Sequence, residues 1–219
     1  MSCLYYFHCI VRKAIRNVLV QRKKSYKTEC VDLDYKNIEE IFVMMIKTKT
    51  INKKAREALL YLLELQPEPF SAHKLSRAVY FVEREAILRG GEPIIGCKLF
   101  FEAGEPAADF MQIVSENYYG FTMTEKNNKL YISAAIHQKL YNELSDFDEE
   151  LIREIYDKLR YYPDDLPRDF FRSILPEYVC TGDERAELTY MNLLLRNGYS
   201  KKEAAEIVAD IEYSRKLDS

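Results

Sequence analysis

Three histidines and five cysteines are the residues of this 219-residue chain best suited to hold a metal or move protons near neutral pH. His8, His73 and His137 lie far apart, and the cysteines at 3, 9, 30, 97 and 180 form no Cys-x-x-Cys. No His–Cys pair has zinc-finger spacing, so the pattern gives no metal-ligand set. His73 falls in the first turn of a predicted helix and His137 near the start of another, positions suited to surface or capping roles. Asp146, Asp148, Glu149 and Glu150 crowd the predicted start of a further helix, where the dipole favours negative charge. A general acid–base pair would need one carboxyl against an apolar wall. Gly90-Gly91 and Gly104 belong to no phosphate loop, because neither Gly-Lys-Ser/Thr nor Gly-x-Gly-x-x-Gly occurs. The expectation is a protein with no catalytic residues, no cofactor and no metal.

Composition narrows the class. Apolar residues make up 47% and charged residues 31%, with seven Gly and seven Pro, which excludes collagen-like and wholly disordered chains. The net charge of −3 hides a division: residues 1–54 carry 12 basic and 5 acidic groups, leaving 20 basic and 30 acidic beyond. The first 28 residues hold seven basic side chains and no acid, interleaved with Tyr5, Tyr6, Phe7 and Tyr26. Such a segment could contact phosphates and stack on bases, or lie against a membrane surface. The acidic body would repel a polyanion. The apolar stretch Cys3–Val11 is well short of the ~20 residues needed to span a bilayer. Its positive charges follow the apolar run, unlike those of a secretion signal. Scattered, odd-numbered cysteines suit a reduced cytoplasmic setting.

Periodicity predicts an α+β, predominantly helical chain. A helix capped by Asn52 carries Ala55, Leu59, Leu62 and Leu63 and stops at Pro67. A second, capped by Ser71, places Leu75, Ala78, Val79, Val82 and Ala86 on one face and ends at Gly90-Gly91. A strand is expected over Lys98–Phe101, and Pro106 suits the first turn of a short helix with Phe110, Met111 and Val114. Phe121–Thr124 and Leu130–Ile132 flank Asn127-Asn128 as a β-hairpin. Helices follow over 136–143 and 146–161, the second begun by Ser145 and carrying Phe147, Leu151, Ile152, Ile155 and Leu159. The Pro-containing stretch 163–182 reads as irregular. Helices near 184–196 and 200–215 close the chain, the latter with a Ser200–Glu203 capping box and a stripe of Ala204, Ile207, Val208 and Ile211. The last pair carries too many acids for a helix that reads a DNA groove, and suits packing or partner docking.

Residues 75–96 contain Val79-Tyr80-Phe81, Gly91, Pro93-Ile94 and Gly96, followed by Phe100-Phe101 and Gly104-Glu105-Pro106. In these places the chain resembles the SocA-like antitoxin family, also called the Panacea domain. That family shows a helix ending in a Leu-Tyr-Phe/Leu-type run, then a Gly, Pro-Ile, a Gly, an apolar strand and a Gly-Pro turn. Leu144-Ser145-Asp146 resembles the family's Leu-Ser before its last long helix. The likeness spans roughly residues 51–162, about half of the chain. It departs from the family at Arg77-Ala78, commonly Lys-Leu, and at Ala103–Ala107, commonly Tyr-Gly-Pro-Val.

The resemblance implies a non-enzymatic antitoxin of a bacterial or prophage toxin–antitoxin system. Such a protein binds and neutralises a cognate toxin, the product of a neighbouring gene, and in part of the family delivers it to a protease as an adaptor. The expected organisation is a basic helical segment at 1–50 that the body could do without, a Panacea-like core at 51–180 and a C-terminal helical hairpin at 181–219. Candidate partner contacts are Tyr80, Phe81, Ile94, Phe100 and Pro106 in the core, with Tyr190, Leu194 and Ile207 in a loosely docked hairpin. The same aromatic residues, at helical spacing, would also serve as core. The alternative is a nucleic-acid binder acting through the basic segment.

Overall fold

A computed structural model of the protein describes residues 53–116, 120–135, 141–163, 166, 168–178 and 185–217. The chain divides into two units, Met1–Phe42 and Val43–Ser219, and every described residue belongs to the second. The expected basic helix, the Asn52 cap and most of the helix expected at 136–143 lie outside the described residues, as do His8 and His137.

The fold is α+β and predominantly helical. Helix α1 covers residues 53–64, and from Glu57 to Leu63 every side chain is buried. This helix is covered all round rather than on one stripe. β1 (Phe70–Ser71) leads into α2 (Ala72–Gly90), the central element. Ser71 caps α2 by accepting from the Lys74 N–H, and Gly91 ends it in the left-handed region at φ 74°, donating its N–H to the Ile87 carbonyl. The predicted stripe is buried, and so are Arg77, Tyr80, Glu83 and Ile87, because α2 is packed against both sheets and two other helices. Gly91→Ala should cost about 1 kcal/mol in urea unfolding. A Cβ at Gly91 would meet nothing nearer than Ile207 Cγ2 at 4.0 Å, so the loss would come from the backbone conformation alone.

β2 (Leu99–Glu102) and β3 (Glu105–Ala108) form a hairpin. Pro106 therefore lies in a strand opposite Phe101, and not in the first turn of a helix. The reason is the turn: Ala103 at φ 50° and Gly104 at φ 79° are both left-handed and reverse the chain within two residues. β3 is an edge strand, where a missing N–H is tolerated. Its last residue is tied to α2 through Ser76, whose hydroxyl donates to the Ala108 carbonyl (2.9 Å) and accepts from the Ala108 N–H (3.0 Å). α3 (Met111–Glu116) starts five residues after the proline.

β4 (Phe121–Lys126) and β5 (Lys129–Ala134) form the expected hairpin, with Asn127 and Asn128 both left-handed at its turn. β1 adds to β5 through Phe70 and Ser71, giving an antiparallel sheet of order β1-β5-β4. α4 (Asp146–Leu159) begins with a capping box in which Ser145 and Asp148 exchange side-chain and backbone bonds. Leu151, Ile152 and Ile155 are buried, whereas Phe147 is 45% exposed at the edge of the helix, with a ring carbon 3.3 Å from the position of a Cβ on Gly90. Arg89 of α2 grips Glu154 of α4 with two bonds of 2.7 and 3.0 Å.

The stretch expected to be irregular contains α5 (Arg168–Ile174), anchored by the fully buried Phe171. The helix expected at 184–196 starts later. Arg185–Leu188 is a strand, β6, paired with β2, and Thr189 then caps α6 (Tyr190–Arg196). Pairing overrides helical preference here, because β2 offers a free edge and Leu188 enters the core opposite Leu99. The second sheet has the order β3-β2-β6. α7 (Lys201–Leu217) opens on the Ser200–Glu203 box, buries Ala204 and Ile211, and leaves Ile207 and Val208 half-buried. Within 181–219, expected as a loosely docked hairpin, the described residues 185–217 are joined to the body by β6 and by the buried Leu193 and Leu194. Tyr199 adds a bond to the Leu88 carbonyl (2.6 Å).

Candidate functional site

Five of the eight candidate contacts are interior. Tyr80 and Leu194 are fully buried, Ile94 and Phe100 nearly so, and Pro106 is buried in its hairpin. Tyr80, Leu194, Phe100 and Pro106 fill the core, and Ile94, 4% exposed, keeps only a small face on the cleft described below. Phe81, Tyr190 and Ile207 are half-buried. The spacing that marked the buried residues is that of a core helix and strand, which covers both readings.

The interior also holds two buried carboxylates, and Tyr80 is a partner of the first. Glu177, just beyond α5, is fully buried. Its carboxylate accepts from the Tyr80 hydroxyl (3.0 Å), from Arg84 Nε (2.5 Å) and from Asn197 Nδ2 (3.0 Å). Burial alone would push this carboxyl up, but Arg84 and Asn197 hold it below the ordinary range. Burial, with Glu177 beside it, raises the Tyr80 phenol well above its usual value. Arg84 also donates to Asn197 Oδ1 (2.8 Å), so one carboxylate fastens the chain after α5 to α2 and to the turn between α6 and α7.

Glu83 lies further along α2, on the same face as Val79 and Ile87, and is fully buried. One oxygen accepts from the backbone N–H groups of Ile95 and Gly96 (3.1 Å for Gly96), and the other has no hydrogen-bond partner. Burial raises this carboxyl to about 7, against the pull of the two N–H groups, Arg215 and Lys54. The Cys97 thiol and the Tyr190 phenol are both pushed up, first by burial and then by Glu83. Glu83 thus shapes the segment Glu92–Gly96 from beneath.

Above that segment opens a cleft of about 250 Å³. Pro93, Ile94, Ile95 and Ile211 give it apolar walls, and Lys54, Glu92, Glu143 and Arg215 give it charged ones. Lys54 is paired with Asp148 at 2.9 Å, and Glu143 with Lys53. The Arg215 guanidinium lies over the Tyr190 ring, 5.3 Å from its centroid, and donates to the Tyr190 hydroxyl (2.9 Å). No carboxylate of the described residues is within ion-pair distance of Arg215.

A different corner carries exposed aromatic surface. Tyr161 is 76% exposed and Ile174 45%, with Tyr162 and Phe170 between them in edge-to-face contact at 5.3 Å. Arg160 stacks on Tyr161. Nearby, Arg77 runs under the corner and donates to the Pro163 carbonyl (3.2 Å) and to Glu105 (2.7 Å). His73 Nε2 is 2.8 Å from the same Glu105 oxygen and 3.0 Å from Arg77 Nη2, so this histidine belongs to a polar cluster with both. Among the described residues no group of three or more His, Cys, Asp or Glu is arranged to hold a metal. None of their helices is long and apolar enough to cross a membrane.

Glu83, Glu177, Arg215 and the Tyr161–Ile174 corner were not singled out in the sequence. For Glu83 a signal existed: a carboxylate at a core position of a striped helix, four residues from both Val79 and Ile87. Glu177 carries no such mark, because its partners lie 97, 93 and 20 residues away. Comparison of the chain with protein-family models, curated proteins and solved structures finds no match.

Proposed function

We propose that this chain is a non-enzymatic protein-interaction module, an antitoxin that binds and neutralises a small cognate toxin in the cytoplasm and serves as an adaptor delivering it to a protease. The observation that carries the interaction reading is the corner of exposed Tyr161, Tyr162 and Ile174 around the half-buried Phe170. Contiguous apolar surface of this kind marks sites where another protein is bound. The antitoxin assignment rests on the resemblance at residues 75–106. Those residues build the helix α2, its Gly91 cap, the Glu92–Gly96 segment and the β2–β3 hairpin. The partner is expected to be the product of a neighbouring gene.

Co-expression provides the test. Cells producing the neighbouring gene's product should be arrested alone and rescued by this chain, with the two proteins co-purifying. Tyr161→Ala with Ile174→Ala should weaken rescue while leaving the purified chain folded. A neighbouring product that is neither toxic nor bound would end the antitoxin reading.

A second reading, nucleic-acid binding, is favoured by the excess of 12 basic over 5 acidic groups in residues 1–54. It requires binding that falls steeply with salt and is lost when residues 1–44 are deleted.

A further inference from the structure

We propose that the cleft between the Glu92–Gly96 segment and the last turns of α7 binds the C-terminal residue of a partner polypeptide, with an aliphatic side chain against Ile94, Ile95 and Ile211 and the terminal carboxylate on Arg215. This deepens the interaction reading and rests on it.

Size limits the ligand. At about 250 Å³ the cleft falls below the range of pockets that enclose a cofactor or a drug-sized molecule, and suits a single residue. The walls decide its character: Pro93, Ile94, Ile95 and Ile211 favour an aliphatic group over a polar one.

Charge decides its orientation. Of the two cations lining the cleft, Lys54 is already paired with Asp148. Arg215 is braced by the ring and hydroxyl of Tyr190 but has no carboxylate partner among the described residues. A guanidinium held in one place presents a planar fork that matches a carboxylate with two parallel bonds. The remaining side chains set selectivity. Glu92 has no cationic partner within ion-pair distance among the described residues, and Glu143 stands nearby paired with Lys53. A second negative charge on the ligand would meet Glu92, so an acidic penultimate residue is disfavoured and a basic or neutral one accepted. A terminal residue supplies one carboxylate on an aliphatic body, whereas an acidic side-chain cluster or a nucleic-acid backbone brings several charges.

The probe is a fluorescein-labelled peptide, acetyl-Lys-Lys-Ala-Leu, made as the free acid and as the carboxamide and titrated with the full chain by fluorescence polarisation. The free acid should bind about tenfold more tightly than the amide, the value of a charge-assisted pair of bonds at a half-open site. Arg215→Gln should bring the two to parity. Glu92→Gln should admit a peptide with Asp before the terminal Leu, which the parent chain disfavours. Both substitutions change exposed charges, and circular dichroism checks that the fold persists. Equal binding of acid and amide would overturn the proposal, as would no binding of either at about 1 mM, or an acid preference that survives Arg215→Gln. Neutralisation by Arg215→Gln at the wild-type level would remove the cleft from toxin binding and leave the antitoxin reading standing. Peptide binding without any neutralised neighbour would keep the cleft and remove the antitoxin reading.

Discussion

Glu177→Ala should lower the unfolding free energy by about 3–5 kcal/mol, the range for removing one partner of a buried charge pair. The substitution removes the acceptor shared by the Tyr80 hydroxyl, the Asn197 amide and the part-buried Arg84 guanidinium, which keeps Glu85 and Asn197 Oδ1 as its remaining partners. Each is then desolvated with less in return than water would give. Urea unfolding at constant pH measures the loss. A double replacement, Glu177→Leu with Arg84→Met, should recover a large part of it, because apolar residues of similar size remove the stranded charge. If Glu177→Ala costs less than about 1 kcal/mol, this carboxylate does not join the turn between α6 and α7 to α2 energetically.

A second large effect is expected from pH. Burial raises Glu83 to about 7 in the folded chain, above the ordinary value near 4.5 that it would have unfolded. The folded state therefore holds this proton more tightly than the unfolded state. The stability it contributes is fully present below about pH 4.5 and is lost as pH rises through about 7. Over the window from pH 5 to 8 the loss attributable to Glu83 is about 2.5 kcal/mol. Lys54 of α1, Tyr190 of α6, Arg215 of α7 and Cys97 of the connecting segment face this carboxyl, and the two cations limit the rise. In Glu83→Gln an amide oxygen can accept from Ile95 and Gly96 without carrying charge. The variant's stability should be nearly flat over the window in which the parent declines. Urea titrations at pH 5, 6, 7 and 8 compare the two, and parallel profiles would sink the assignment.

Local signals in the sequence found the elements whose ends are set by nearby residues. Ser71 and Gly91 bound α2, Ser145 starts α4, Ser200 with Glu203 starts α7, and Asn127-Asn128 turn the β4–β5 hairpin. Elements decided by distant partners were misread. Pro106 looked like a helix start because its pairing with Phe101 depends on a turn made by an alanine in the left-handed region. Arg185–Leu188 looked helical because nothing local tells of the free edge of β2. Five of the eight candidate contacts turned out to be interior for a related reason. An aromatic such as Tyr80 has the same spacing in a core as at a surface, and its burial is fixed by Phe101, Phe81 and Glu177 around it. The exposed corner escaped notice because Tyr162 meets Phe170 only when α5 folds back beside the end of α4.

The place of β6 has a consequence for how the chain must be made. β2 acquires its second neighbour only when Arg185 has emerged, 83 residues after Glu102. At ~5–20 residues per second of synthesis, the Leu99-Phe100-Phe101 edge waits roughly 4–17 s on the ribosome with one side unpaired. An apolar strand with a bare edge is a template for pairing with other chains. A nascent chain halted short of Arg185 would hold that edge open for as long as the stall lasts, and so become a substrate for chaperones or a seed for aggregation.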